Sequence, residues 1–276
     1  MTDEKILICV DSDGCVMDVM DIKHIRCFGP CLVKVYGLEE FEEAVLQRWN
    51  TINLYSAERG INRFQALCRI LTEIDKKYKR VDGVETLRDW TENTEALSEA
   101  ALEAAIREMR ARGLSAEPLQ RAMEWSVLVN TQIRCLPEGE LAPYPSAARV
   151  LRRLGAQYDI AVVSSANPAA LKAEWERHKL AECVRYFMSQ DCGTKEECIR
   201  RLLREGYRRE TVLMVGDAPG DLRAAEANGV YFYPIVPGKE NASWDRLEEN
   251  IRRLASGLFG KKEQEALLKE FTELLK

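Results

Sequence analysis

The chain has 276 residues, 46% hydrophobic and 31% charged, a balance that excludes a largely disordered protein and allows one or two domains of roughly 150 residues. Its 40 Lys and Arg against 45 Asp and Glu leave a net charge of −5, which does not favour a mainly electrostatic grip on nucleic acid. No apolar run approaches the ~18 residues of a membrane span, and the acid-bearing start MTDEKILICVDSDG is no secretory signal, so a cytoplasmic protein without a membrane partner is expected.

Along the chain, Ile6 to Val10 reads as a buried strand. From Val16 to Glu140 the signals are helical: Glu39 to Trp49, Phe64 to Tyr78, Glu95 to Arg112 closing at Gly113, and a run from Ser115 towards Ile133. Pro137, Gly139, Pro143 and Pro145 mark a return linker. Helix and strand then alternate. Pro145 to Leu154 is helical and Ile160 to Val163 a strand. Asn167-Pro168 caps a helix to about Lys179, and Val184 to Met188 is a strand. Thr194 and Glu197 have capping-box spacing and start a helix to about Glu205. Thr211 to Val215 is a strand, Pro219 to Ala227 a helix, and Val230 to Ile235 a strand. Lys261 to Lys276 is an amphipathic helix whose stripe (Ala266, Leu267, Phe271, Leu274, Leu275) is expected to dock on the body.

Short apolar strands alternating with helices predict an α/β fold, a parallel sheet covered on both faces, with a helical insertion after its first strand. The nine cysteines form no CxxC pair, and with two histidines a zinc site lacks support; they read as reduced, core-type thiols.

Ligands of such sheets bind outside the carboxyl ends of the strands. Those ends carry Asp11-Ser12-Asp13-Gly14, Ser164-Ser165, Gly193-Thr194-Lys195 and Gly216-Asp217 with Asp221. Four carboxylates brought to one edge repel unless a cation sits among them, and oxygen-only ligands suit Mg²⁺. Lys195 at a helix start is disfavoured by the helix dipole unless an anion is nearby. Gly14 lets backbone N–H groups approach an oxyanion. One of Asp11 and Asp13 can attack phosphorus while the other transfers protons.

This ordered set resembles the haloacid-dehalogenase-like (HAD) superfamily. Its first motif looks like Asp11-Ser12-Asp13-Gly14-Cys15-Val16-Met17-Asp18, its second like Ala161-Val162-Val163-Ser164, its third like Lys195, and its fourth like Gly216-Asp217-Ala218-Pro219-Gly220-Asp221. The resemblance, carried by residues 1–15 and about 141–240, implies a Rossmann-like core, assigned here to 1–15 and 141–255, and a C1-type all-helical cap over 16–140; by its apolar stripe the C-terminal helix, 256–276, is expected to pack on the body. It implies a Mg²⁺-dependent phosphatase, a phosphoric monoester hydrolase, acting on a small phosphorylated metabolite through an aspartyl-phosphate. Asp11 is then nucleophile and metal ligand, and Asp13 general acid/base with its carbonyl on the metal. Ser164 (or Ser165, if the strand end slips by one), Lys195 and Gly14 hold the phosphoryl group, and Asp217 and Asp221 serve the metal. Cys15 departs from the family's usual Thr and reads as an inert small residue; Asp18 is expected to pair locally.

Substrate choice would fall to the cap. There Arg48, Arg59, Arg63 and Arg69 face one acid, Glu58, and the helical period breaks at Gly60, which would let Arg59, Asn62 and Arg63 reach the phosphate site. Asp13 argues against a haloalkanoate dehalogenase, which needs no acid at that position. A phosphonatase using Lys23 or Lys34, a phosphomutase on the same core, and a non-catalytic binding protein are the alternatives.

Overall fold

Five short apolar runs form a single sheet in the computed structural model, which describes residues 5–274. The strands are β1 (Leu7–Val10), β2 (Asp159–Val163), β3 (Tyr186–Met188), β4 (Val212–Gly216) and β5 (Tyr231–Pro234). All neighbours are parallel, in the order β3-β2-β1-β4-β5. Every residue of β1 and β4 is buried, which is why these strands read as continuous apolar runs instead of alternating ones. The reading of residues 1–4, and Leu275 of the C-terminal stripe, lie outside the described residues; so does the side chain of Leu274.

The chain divides into two compact units, Met1–Met20 with Leu141–Lys276, and Asp21–Glu140. The second is all-helical. It begins within α1 (Met20–Lys23), at Asp21, and continues through a π-helical turn at His24–Phe28 into α2 (Gly29–Tyr36). Then come α3 (Glu42–Leu54), α4 (Arg63–Lys77), α5 (Val84–Asn93), α6 (Glu99–Ala111) and α7 (Glu117–Arg134). Its core is aromatic: Trp49 and Trp125 meet edge-on with centroids 5.8 Å apart, and Phe28 and Phe64 pack against them. The helix expected from Glu95 starts only at Glu99, because Ser98 caps it by accepting from the Ala101 N–H at 3.2 Å. Residues 39–41, expected to open α3, form a separate 3₁₀ turn.

Residues 16–20 belong to the sheet unit, not to the insertion, which corrects the boundary expected at residue 16. Tyr144 N donates to the Val16 carbonyl and Asp18 N to the Ala142 carbonyl, both at 2.9 Å, and Met17 bridges Pro143 antiparallel. The outgoing and returning chains are therefore clasped together, and the break between units lies beyond that clasp.

The sheet unit adds α8 (Pro145–Gly155), α9 (Pro168–Arg177), α10 (Lys195–Arg204), α11 (Pro219–Asn228), α12 (Glu240–Ala255) and α13 (Lys261–Leu274). Neither α5 nor α12 was anticipated from the sequence. The signal for α12 is the spacing of Trp244, Leu247, Ile251 and Leu254, all buried among otherwise charged residues. Helix α13 lies against the outer strand β5: the Phe271 and Phe232 rings meet tilted, centroids 5.6 Å apart, and Gln264 Oε1 accepts from the Phe232 N–H at 2.8 Å. That contact satisfies an edge N–H that would otherwise be open for strand pairing.

Phe271 is 1% exposed. Phe271→Ala should therefore cost about 3–5 kcal/mol of sheet-unit stability. Urea unfolding followed by the tryptophans of that unit checks this, and a loss under about 1 kcal/mol would show that α13 contributes little.

Candidate active site

The strand order reverses direction at β1, with β2 and β3 on one side and β4 and β5 on the other. Such a switch point leaves a crevice beyond the carboxyl ends of the central strands. Val10 pairs in register with both Val162 and Val215, so the residues that follow β1, β2 and β4 emerge side by side at one rim.

Asp11 extends β1 by one rung, its N–H donating to the Val215 carbonyl at 3.0 Å. The chain then turns tightly. Val16 N and Met17 N both donate to the Ser12 carbonyl, Gly14 N donates to Met17 O, and Gly14 takes φ 81°, a conformation that favours glycine. Two indoles hold the turn from opposite sequence neighbourhoods: Trp175 Nε1 of α9 donates to Ser12 Oγ at 3.0 Å, and Trp244 Nε1 of α12 donates to the Cys15 carbonyl at 2.8 Å. Asp13 sits half-buried within this turn.

Lys195 is placed by its helix start. Thr194 Oγ1 accepts from the Glu197 N–H at 3.2 Å while Glu197 Oε2 accepts from the Thr194 N–H at 2.7 Å, the reciprocal cap that the sequence predicts. From there the ammonium reaches Asp11 Oδ2 at 2.7 Å and Asp221 Oδ1 at 2.6 Å. Asp11 Oδ1 accepts from Ser12 N at 2.8 Å, and Asp221 Oδ2 from Ala218 N at 3.1 Å. Gly216 makes room for this. A Cβ at that position would stand 2.3 Å from Asp221 Oδ2.

Asp11, Asp217 and Asp221 are all buried, and one oxygen of each lies within 4.8 Å of the other two. This donor set consists of hard carboxylate oxygens without sulfur or imidazole, and it carries three negative charges against one ammonium. It fits a divalent hard cation such as Mg²⁺, whose charge equals the excess. Burial is the main reason that Asp11 is pushed up to about 7, with Asp221 adding repulsion and Lys195 opposing both. Asp221 is raised for the same reasons, chiefly burial, with Asp217 the repelling neighbour. On Lys195, attraction to the two carboxylates outweighs its own burial, so the ammonium stays charged.

The sequence-predicted residues fall into three groups. Asp11, Lys195, Asp217 and Asp221 form one contact cluster. Gly14 and Asp13 lie in the turn beside it, and Ser164 directly follows β2, its N–H on the Met188 carbonyl at 2.9 Å and its Oγ accepting from Ala166 N at 3.2 Å. Ser164 is buried and Ser165 exposed, which favours Ser164 as the inward hydroxyl. The cap residues have partners inside the helical unit. Asn62 Oδ1 caps α4 through Phe64 N at 2.9 Å and its amide donates to Leu97 O. Arg63 donates to Ser126 Oγ and Asn130 Oδ1, and Arg59 to the Leu54 carbonyl at 3.0 Å. Asp18 pairs with the Tyr144 hydroxyl, a partner from the returning chain and not from its own turn.

Sequence reading missed Tyr144, Trp175 and Trp244. Tyr144 is buried beside Asp18 with Asp217 near enough to raise its hydroxyl, although desolvation contributes most. A tyrosine between two prolines of the return linker is the only local signal. The Cys15 thiol is fully buried and donates to Val215 O at 3.6 Å. Burial, reinforced by the carboxylates, holds it well above the usual thiol range, as suits an inert packing residue.

The parallel strands bring three buried carboxylates and a lysine together at one switch-point rim of an α/β sheet. The family model for haloacid dehalogenase-like hydrolases matches residues 7–229, and the chain belongs to that family. Among solved structures it is similar to a predicted phosphatase from Clostridium acetobutylicum (15% identity, TM-score 0.49, 91% of this chain and 99% of that one). It is also similar to a haloacid dehalogenase-like hydrolase from Streptococcus pneumoniae (13%, 0.46, 88% and 92%) and to a HAD hydrolase from Bacillus subtilis bound to magnesium (11%, 0.45, 83% and 87%). No curated protein matches the sequence. Among the described residues, no helix is long and apolar enough to cross a membrane.

The raised Asp11 has a measurable consequence in metal-free protein. Unfolded Asp11 ionises near its ordinary value of about 4, whereas folded Asp11 holds its proton to about 7. As pH rises through that window the wild type loses stability that Asp11→Asn, which cannot ionise, retains. Melting temperatures in EDTA should therefore separate progressively between about pH 4 and 7, the variant being the more stable. A constant or shrinking gap would contradict the assignment.

Proposed function

We propose that the protein is a Mg²⁺-dependent phosphomonoesterase acting on a small phosphorylated metabolite through an aspartyl-phosphate. The observation that carries this reading is the Lys195 ammonium bound between Asp11 and Asp221, with Asp217 completing a buried oxygen triad. Asp13 in the adjoining turn adds the second carboxylate that ester hydrolysis needs.

Asp11 Oδ2 attacks phosphorus in line, forming the Asp11–phosphorus bond as the bond to the ester oxygen breaks. Asp13 gives its proton to that departing oxygen. In the second half Asp13 takes a proton from water, whose oxygen attacks phosphorus, releasing inorganic phosphate and restoring the Asp11 carboxylate. Lys195 offsets charge on the phosphoryl oxygens throughout, and Ser164 Oγ with the Gly14 backbone orients them. Asp11, Asp217, Asp221 and the Asp13 carbonyl would hold the Mg²⁺, which supplies further charge neutralisation at the phosphoryl group. An ionised Asp11 is needed for attack, and positive charge among the carboxylates favours that ionisation.

Asp13 also separates this reading from the dehalogenase chemistry of the same family, in which no leaving-group oxygen needs a proton. Isomer formation from a sugar phosphate, in place of free phosphate, would instead support the phosphomutase alternative.

A panel of phosphorylated metabolites with released phosphate as readout tests the proposal. Asp11→Asn should reduce turnover of the best substrate to background. Asp13→Asn should lower kcat by about 10²–10⁴-fold, least for an aryl phosphate whose leaving group needs little protonation. EDTA should abolish the activity and Mg²⁺ restore it. Phosphate release that survives Asp11→Asn would refute the covalent route.

A further inference from the structure

Charge of the opposite sign is concentrated at the other end of the sheet. A cavity of about 490 Å³ is lined by the end of α10, the segment leading into β4 and the end of α11. Arg200, Arg204, Arg208 and Arg209 line it against one carboxylate, Glu210, although the chain as a whole is acidic. Because the strands are parallel and the active-site residues follow their carboxyl ends, this cavity lies at the opposite rim from Asp11 and Asp217.

Part of this charge has local employment. Arg204 stands in the last turn of α10, where a cation offsets the helix-end carbonyls. Arg209 Nε donates to the Asn228 carbonyl at the end of α11, at 2.9 Å, a helix-end partner that supplies less than a full counter-charge. Arg200 pairs with Glu196 one turn back, both under half exposed, and Arg208 lies 3.6 Å from Glu210, both about two-thirds exposed, so water screens each pair. Helix-end compensation amounts to roughly half an elementary charge per helix, so it does not account for four arginines around one cavity.

Planar guanidinium groups match phosphate oxygens two at a time, and four of them can engage more than one phosphate group. Leu203 and Ala227 give the same cavity an apolar wall. Its volume falls within the range of small-molecule sites, about 300–1,000 Å³. We propose that this cavity is a second ligand site, separate from the active site, for an organic diphosphate of nucleotide size, its phosphates on the arginines and its ring system against Leu203 and Ala227. The proposal does not depend on the phosphatase reading.

Calorimetric titration of the full chain with ADP, in EDTA so that no turnover occurs, tests it. One saturable site is expected, with adenosine failing to bind. Arg200→Ala/Arg204→Ala, two exposed positions, should weaken ADP by about tenfold or more, while its melting temperature and its p-nitrophenyl phosphate turnover stay at wild-type values. Arg208→Ala should weaken ADP in the same direction. Absence of saturation at millimolar ADP, equal affinity in the double variant, or adenosine binding as tightly as ADP would each overturn the proposal.

Discussion

The buried ion cluster at the rim of the sheet constrains everything around it. Moving a carboxylate out of water costs several kcal/mol, and here three of them share a space spanned by less than 5 Å with one ammonium for compensation. Each lone pair that finds a donor reduces this cost, which explains why Asp11 and Asp221 both take a backbone N–H on the oxygen that Lys195 does not bind. The remaining excess of negative charge is what a divalent cation would remove. Function and strain thus have the same origin: the arrangement is poorly balanced by protein atoms alone and well suited to a cation and a phosphoryl group.

The turn beside the cluster is tied down from several directions. The β1 turn is closed by its own backbone hydrogen bonds and held by two indole donors, from α9 and α12, that lie far away in sequence. The fully buried Trp175 and Trp244 each contribute a large apolar body as well as the one polar contact. The clasp between residues 16–18 and 142–144 joins, within the sheet unit, the two stretches of chain that lead into and out of the insertion. Loop chemistry resting on a rigid parallel sheet is the general means by which such folds support varied reactions.

The readable part of the sequence was the part in which local and tertiary preferences agree. Strands buried on both faces declare themselves as apolar runs, and the Asn167 and Thr194 caps are local structures whose partners lie within three residues. Asp11, Lys195, Asp217 and Asp221 could be collected because each follows a strand end, and parallel strands must bring those ends to one rim. Helix α12 escaped because its four apolar residues are outnumbered by charged ones, although their spacing marks a helix face. Tyr144 and the two indoles escaped for a different reason: their roles are defined by partners in distant sequence, and nothing near them indicates a hydrogen bond to the motif turn. The arginines read as a positive island, Arg48, Arg59, Arg63 and Arg69, have partners that local sequence does not reveal: Arg48 pairs with Glu73, Arg69 with Glu58, and Arg63 reaches the Ser126 and Asn130 side chains.

The sequence by itself determined which groups the chemistry has available: two acids two residues apart after a first strand, a lysine at a capped helix start, and a Gly-Asp pair with an acid four residues on. Helix caps and strand runs, being short-range, also set the order of elements. Only the tertiary structure decided that Lys195 sits between Asp11 and Asp221, that Ser164 and not Ser165 is buried, that the insertion begins after residue 20, and that four arginines surround a cavity at the opposite rim. Those are distances between residues remote in the chain, and they depend on strand register and side-chain packing, which no local preference encodes.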